Sequence, residues 1–143
     1  MSKPLAEYIP AADTAERIRE AQRFAHDFLP TVSRTFAISI RFLPGTLGTA
    51  VNAAYLLCRI ADTAEDHPAL SVEARRALLQ EVDRAMSDDS ASFQGIRAVT
   101  WPDDRDLGSL MRGADRVLSE FRRLPAPDQA AVAPWVQEMV RGM

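Results

Sequence analysis

The stretch AVNAAYLLCRIADTAED, from Ala50 to Asp66, limits most strongly the folds open to this chain. Apolar residues fall on nearly every face of the helix it would form, a pattern that belongs to a helix packed inside a core rather than laid on a surface. Such a helix needs others around it. Turning about 100° per residue from Tyr55, Arg59 falls near +40°, Asp62 near −20° and Asp66 near +20°, a single narrow stripe roughly 16 Å long. Leu57, Ile60, Ala61 and Ala64 lie on the far side.

The rest of the chain supplies helical partners and almost no strand signal. Asp13-Thr14-Ala15-Glu16 reads as a capping box opening a helix that runs to about Phe28 and stops at Pro30. A second helix covers Ser33 to Leu43 and ends at Pro44-Gly45, and the third runs from about Thr46 to Asp66, before Pro68. Ser71 caps a fourth, Val72 to about Met86. Asp103 or Asp104 caps a fifth that continues to about Arg123, and Pro127 opens a last one to Arg141, which Pro134 should kink or restart. The expected architecture is one all-α domain over residues 1–143, a bundle of about six helices. No linker or repeat divides it.

Two carboxylates on an enclosed helix cost several kcal/mol each unless they are paired or hold a metal. Asp62 and Asp66, one turn apart, present hard oxygens suited to a divalent cation whose shell is completed by water and phosphate oxygens. The alternative is a solvated ion pair of Arg59 with either aspartate near the helix end, a contact of little energetic weight. Glu65 and His67 fall off the stripe and read as solvated residues of the cap region. On the second helix Ser33, Arg34, Ala37 and Arg41 share one side, and a Ser-Arg pair at a helix amino terminus suits an anion. Taken singly, Ser33 is an N-cap and Arg34 a surface charge.

Composition removes several classes. A net charge of −3 lacks the basic excess of an electrostatic nucleic-acid binder. Cys58 is the only cysteine, which excludes a disulfide within the chain and any multi-thiolate zinc site, and favours a reducing, cytoplasmic setting. No run reads as a signal peptide or a membrane span, so membrane association would be peripheral.

Val32-Ser33-Arg34-Thr35-Phe36-Ala37, then Leu43-Pro44, then Val51 through Tyr55-Leu56-Leu57-Cys58-Arg59-Ile60-Ala61-Asp62-Thr63-Ala64-Glu65-Asp66, together resemble the squalene/phytoene synthase family of head-to-head isoprenoid synthases. The resemblance extends from about Ala21 to the closing Glu138-Met139-Val140-Arg141-Gly142-Met143. It implies the all-α isoprenoid synthase bundle and gives the matched residues roles. Asp62 and Asp66 would be a first aspartate-rich motif binding Mg2+, with Glu65 a weaker member. Arg59 and Tyr55 would contact the substrate diphosphate, and Val32, Ser33, Arg34, Thr35 and Phe36 would line the site from the neighbouring helix. The implied reaction joins two prenyl diphosphates, farnesyl or geranylgeranyl, through a cyclopropylcarbinyl diphosphate to a squalene-like or phytoene-like product.

Family members are longer and carry a second aspartate-rich motif on a later helix, so the chain resembles the amino-terminal half of such an enzyme. Asp103-Asp104-Arg105-Asp106 does not supply that motif, because Leu107 takes the place a DDxxD pattern needs; it reads as a cap cluster. Half a bundle leaves apolar faces that call for self-association or a complementary carboxyl-terminal chain. NADPH serves some members, but no GxGxxG fingerprint indicates it here. A head-to-tail elongating enzyme is disfavoured because Thr63 follows Asp62. The reading from another class is a non-catalytic module that binds lipid diphosphates or serves assembly.

Overall fold

The computed structural model describes residues 11–32, 34–102 and 105–143, with side chains at 14–27, 37–102 and 106–143. These residues form eight helices and no strand: α1 Ala11–Val32, α2 Arg34–Arg41, α3 Leu47–Glu65, α4 Val72–Ala85, α5 Gln94–Ala98, α6 Arg105–Arg112, α7 Ala114–Arg123 and α8 Ala126–Arg141. The expected all-α class is the observed one.

At the centre lies α3, which packs against α4, α7 and α8 and more lightly against α1, α2 and α6. Its far side does what the rotation angles require: Leu57, Ile60, Ala61 and Ala64 are fully buried, at 0% exposure. They meet Val82 of α4, Val117 and Phe121 of α7, and Val136 and Val140 of α8 in one continuous core. Small residues at 53, 61 and 64 leave room for neighbouring helices to close on this side. Turn chemistry sets the entry to α3. Gly45 takes φ +59°, open to glycine at little cost, and Thr46 then stands at the N-cap.

Several boundaries fall where the sequence places them. Ser71 Oγ accepts the Ala74 N–H at 3.1 Å and opens α4, and Asp66 closes α3 at its C-cap. The proposed capping box at Asp13 has its Asp13 side chain outside the described residues.

Four expectations need correction. First, α1 does not stop before Pro30 but runs to Val32, since a proline in the final turn forfeits only one ladder bond. Second, α8 is not restarted at Pro134. Pro134 and Ala130, whose carbonyl loses its helical partner, are both exposed, so the missing bond falls on the solvent side of the helix, where it costs least. Third, the anticipated fifth helix is two, separated at Gly113, where the Phe24 ring of α1 lies against the space a Cβ would fill. Fourth, α5 was not foreseen. Its amino end is held from a distance: the Glu81 carboxylate accepts the Gly95 N–H at 2.8 Å and the Ile96 N–H at 2.9 Å, and Asp115 accepts the Phe93 N–H at 3.0 Å.

No described helix is long and apolar enough to cross a membrane.

Candidate functional site

The other side of α3 is open. Tyr55, Cys58, Arg59 and Asp62 are half-buried and Asp66 is exposed, so the five form a polar face backed by a sealed apolar one. An enclosed position for the charges is therefore not observed. The Arg59 and Asp62 side chains keep 38% and 45% of their surface in solvent, and Arg59 Nη1 stands 3.9 Å from Asp62 Oδ2. A hydrated i,i+3 pair at that distance is worth about 0–1 kcal/mol, so it neither fixes the helix nor consumes the aspartate. Thr63 Oγ1 donates to the Arg59 carbonyl at 2.7 Å and so points back along the helix.

Two recesses flank this face. Toward its amino-terminal end a groove of about 320 Å³ runs between α3 and α8, walled by Leu47, Val51, Ala54, Tyr55 and Cys58 against Ala131 and Val132, with Asp128 at one end. Thr46 Oγ1 donates to Asp128 Oδ2 at 3.1 Å across it. Toward the carboxyl-terminal end a smaller cleft of about 190 Å³ joins Arg59, Thr63 and Asp66 to Trp101, Pro102, Leu107 and Gly108. Burial pushes the Cys58 thiol above its ordinary range, and the charge of Asp62 adds to the effect.

His67 departs from expectation. It is not a solvated cap residue but buried, at 7% exposure, with both ring nitrogens engaged. Nδ1 accepts the Ala69 N–H and Nε2 faces the Thr100 carbonyl, each at 3.1 Å, and the ring meets Trp101 edge-on with centroids 5.1 Å apart. Nothing local announces this, because Thr100 and Trp101 lie more than thirty residues along the chain. Glu65 is half-buried and off the stripe, with its carbonyl accepting from Arg75 Nη1 at 3.2 Å.

Of the residues named from sequence, Tyr55, Arg59, Asp62 and Asp66 come together on one open face. Ser33 lies outside the described residues, as do the side chains of Val32, Arg34, Thr35 and Phe36. The helix α2 to which three of them belong does pack on α3: at Gly48 a Cβ would stand 3.3 Å from the Ile40 carbonyl oxygen.

As a metal site the face offers two carboxylates one turn apart, hydrated and not locked in tight ion pairs, which is a donor set that fits a hard divalent cation with most of its shell left to water or phosphate. Among the described residues no three Asp, Glu, His or Cys side chains converge as a complete ligand set.

The family model for squalene/phytoene synthase matches residues 29–143. The chain is 33% identical over 141 residues to the squalene synthase of Eremothecium gossypii, covering 99% of this chain and 31% of that protein. To squalene synthase BSS of Botryococcus braunii it is 32% identical over 124 residues, 87% of this chain and 26% of the relative. A shorter match, 38% over 68 residues, covers 48% of this chain and 15% of the lycopaoctaene synthase of the same alga. The chain thus spans less than a third of the length of these curated relatives. With the α3 stripe lying inside the matched residues, the chain belongs to the squalene/phytoene synthase family.

Proposed function

We propose that this chain carries the first diphosphate-binding wall of an enzyme that condenses two prenyl diphosphates head to head. The observation that carries the reading is the segregation of α3, with Tyr55, Arg59, Asp62 and Asp66 on an open face and an unbroken buried face behind them. Asp62 and Asp66 would hold Mg2+, which when bound neutralises charge on a departing diphosphate. Arg59 adds a forked cation to the same oxygens, and its half-buried position strengthens that attraction over the same charge in bulk water. The groove beginning at Tyr55 is lined almost wholly by hydrocarbon, which suits a prenyl chain. One prenyl diphosphate ionises, the double bond of the second attacks, and loss of the allylic proton closes a cyclopropylcarbinyl diphosphate. A second ionisation releases the remaining diphosphate, and the rearranged allylic cation would end as a phytoene-like product by losing a proton or as a squalene-like one by accepting hydride from NADPH.

The relatives are more than three times as long as the segment they share with this chain, and we assign the facing wall, with a second carboxylate set, to a carboxyl-terminal portion or a partner chain. A second reading has one observation in its favour: with only the Asp62 and Asp66 pair on this face and no third described ligand, the chain binds lipid diphosphate without turning it over.

Calorimetry with inorganic diphosphate, with and without MgCl2, tests the binding step. Binding should require magnesium and be lost in Asp62→Asn; binding indifferent to both would refute the reading. Farnesyl diphosphate should show little or no turnover with the chain alone and should be consumed when a carboxyl-terminal portion of a squalene synthase is added. Binding without turnover under every pairing would favour the non-catalytic module.

A further inference from the structure

We infer that His67, together with Trp101, is a positioning residue that holds the last turn of α3 and with it the Asp66 carboxylate; this rests on the diphosphate-binding reading of that face. Asp66 is the C-cap of α3, the place where a helix frays most readily, because its carbonyls lack partners further along. A ligand carboxylate there is held only as well as the turn beneath it. The next residue is the anchor. A backbone N–H can only donate and a carbonyl can only accept, so the Ala69 contact makes Nδ1 of His67 the acceptor and leaves the proton on Nε2, directed at the Thr100 oxygen. One ring therefore ties the chain just beyond Asp66 to the segment before α6.

That segment is itself fixed. Trp101 is buried at 6% exposure, its indole N–H donates to the Ile96 carbonyl at 2.8 Å, and its ring packs against that of His67 at a steep angle. The link matters to the site because the same two rings wall the cleft into which Arg59 and Asp66 project. Loosening them changes the shape of that cleft as well as the end of the helix. His67 touches neither diphosphate nor metal in this account and acts through Asp66.

The test compares wild type with His67→Phe, which keeps a flat ring against Trp101 but loses both hydrogen bonds, and His67→Asn, whose amide oxygen can still accept the Ala69 N–H. Two readouts are taken on the 143-residue chain: amide hydrogen exchange at 64–69, and the affinity for inorganic diphosphate with MgCl2. In His67→Phe, with helix content preserved by circular dichroism, exchange should quicken about tenfold and affinity should fall several-fold, with partial recovery of both in His67→Asn. Unchanged exchange, or faster exchange with unchanged affinity in a wild type that binds, overturns the inference. A wild type that binds no magnesium diphosphate sinks the functional reading instead, and exchange alone then decides whether the anchor exists. If His67→Phe does not fold, the wild-type comparison with His67→Asn and with Trp101→Phe, which loses the bond to Ile96, decides by the same two readouts.

Discussion

Arg59 and Asp62 face one another across 3.9 Å on the hydrated side of α3, near enough to feel each other's charge and too far for a close hydrogen-bonded pair. The pair contributes little to folding, so Asp62→Asn should change the unfolding free energy by less than about 1 kcal/mol. On the proposed reading the same substitution removes a charged magnesium donor, and magnesium-dependent diphosphate affinity should drop at least about tenfold. Thermal denaturation beside calorimetry separates the two effects. A large loss of stability would mean that the aspartate serves the fold and not a ligand.

Cys58 offers a second view of Asp62. Its thiol is held high first by burial and then by the neighbouring carboxylate, so at mildly alkaline pH little thiolate is present. Asp62→Asn removes the second cause, and alkylation by iodoacetamide near pH 8 should quicken roughly two- to threefold. Equal rates in the two proteins would show that Asp62 lies too far into solvent to act on the thiol.

At Gly113, where α6 gives way to α7, the Phe24 ring occupies the space a Cβ would fill, and Arg116 sits over the same ring at 5.2 Å. Gly113→Ala should destabilise the chain by about 1–3 kcal/mol, read in denaturant unfolding. Combining it with Phe24→Ala should give less than the sum of the two single losses, since the methyl then has room.

Glu120 is buried at 4% exposure on α7, and burial raises its pKa although Arg123 Nη1, 2.8 Å away, works in the opposite direction. An acid whose pKa is higher folded than unfolded favours the folded state while protonated. That contribution is present below the unfolded value and is lost as pH rises through the folded one. Glu120→Gln should therefore flatten the stability profile across that window and gain on wild type toward neutral pH. An unchanged difference between the two proteins from pH 4 to pH 7 would contradict this.

Much of the fold is legible in the residues because its signals are local. Ser71, Gly45 and the apolar far side of α3 each act within a few positions, and each does what its chemistry requires. Two of the misses share a cause. The helix α5 depends on Glu81 and Asp115, and the burial of His67 on Thr100, all partners distant in sequence. Of the candidate site, rotation angles alone group Tyr55, Arg59, Asp62 and Asp66, but they do not reveal that this side of the helix stands in water. An unbroken apolar pattern hides an open face when the residues there are as small as Ala54 or as adaptable as Tyr55.

The two-sidedness of α3 divides what mutation can do to this protein. Changes at Leu57, Ile60 or Ala61 act on a filled interior and are felt as folding defects, whereas changes along the grooved side meet space and solvent. On the proposed reading, preference for one prenyl chain over another can therefore drift by remodelling that outer lining, residue after residue, while the keel of the molecule stays as it is.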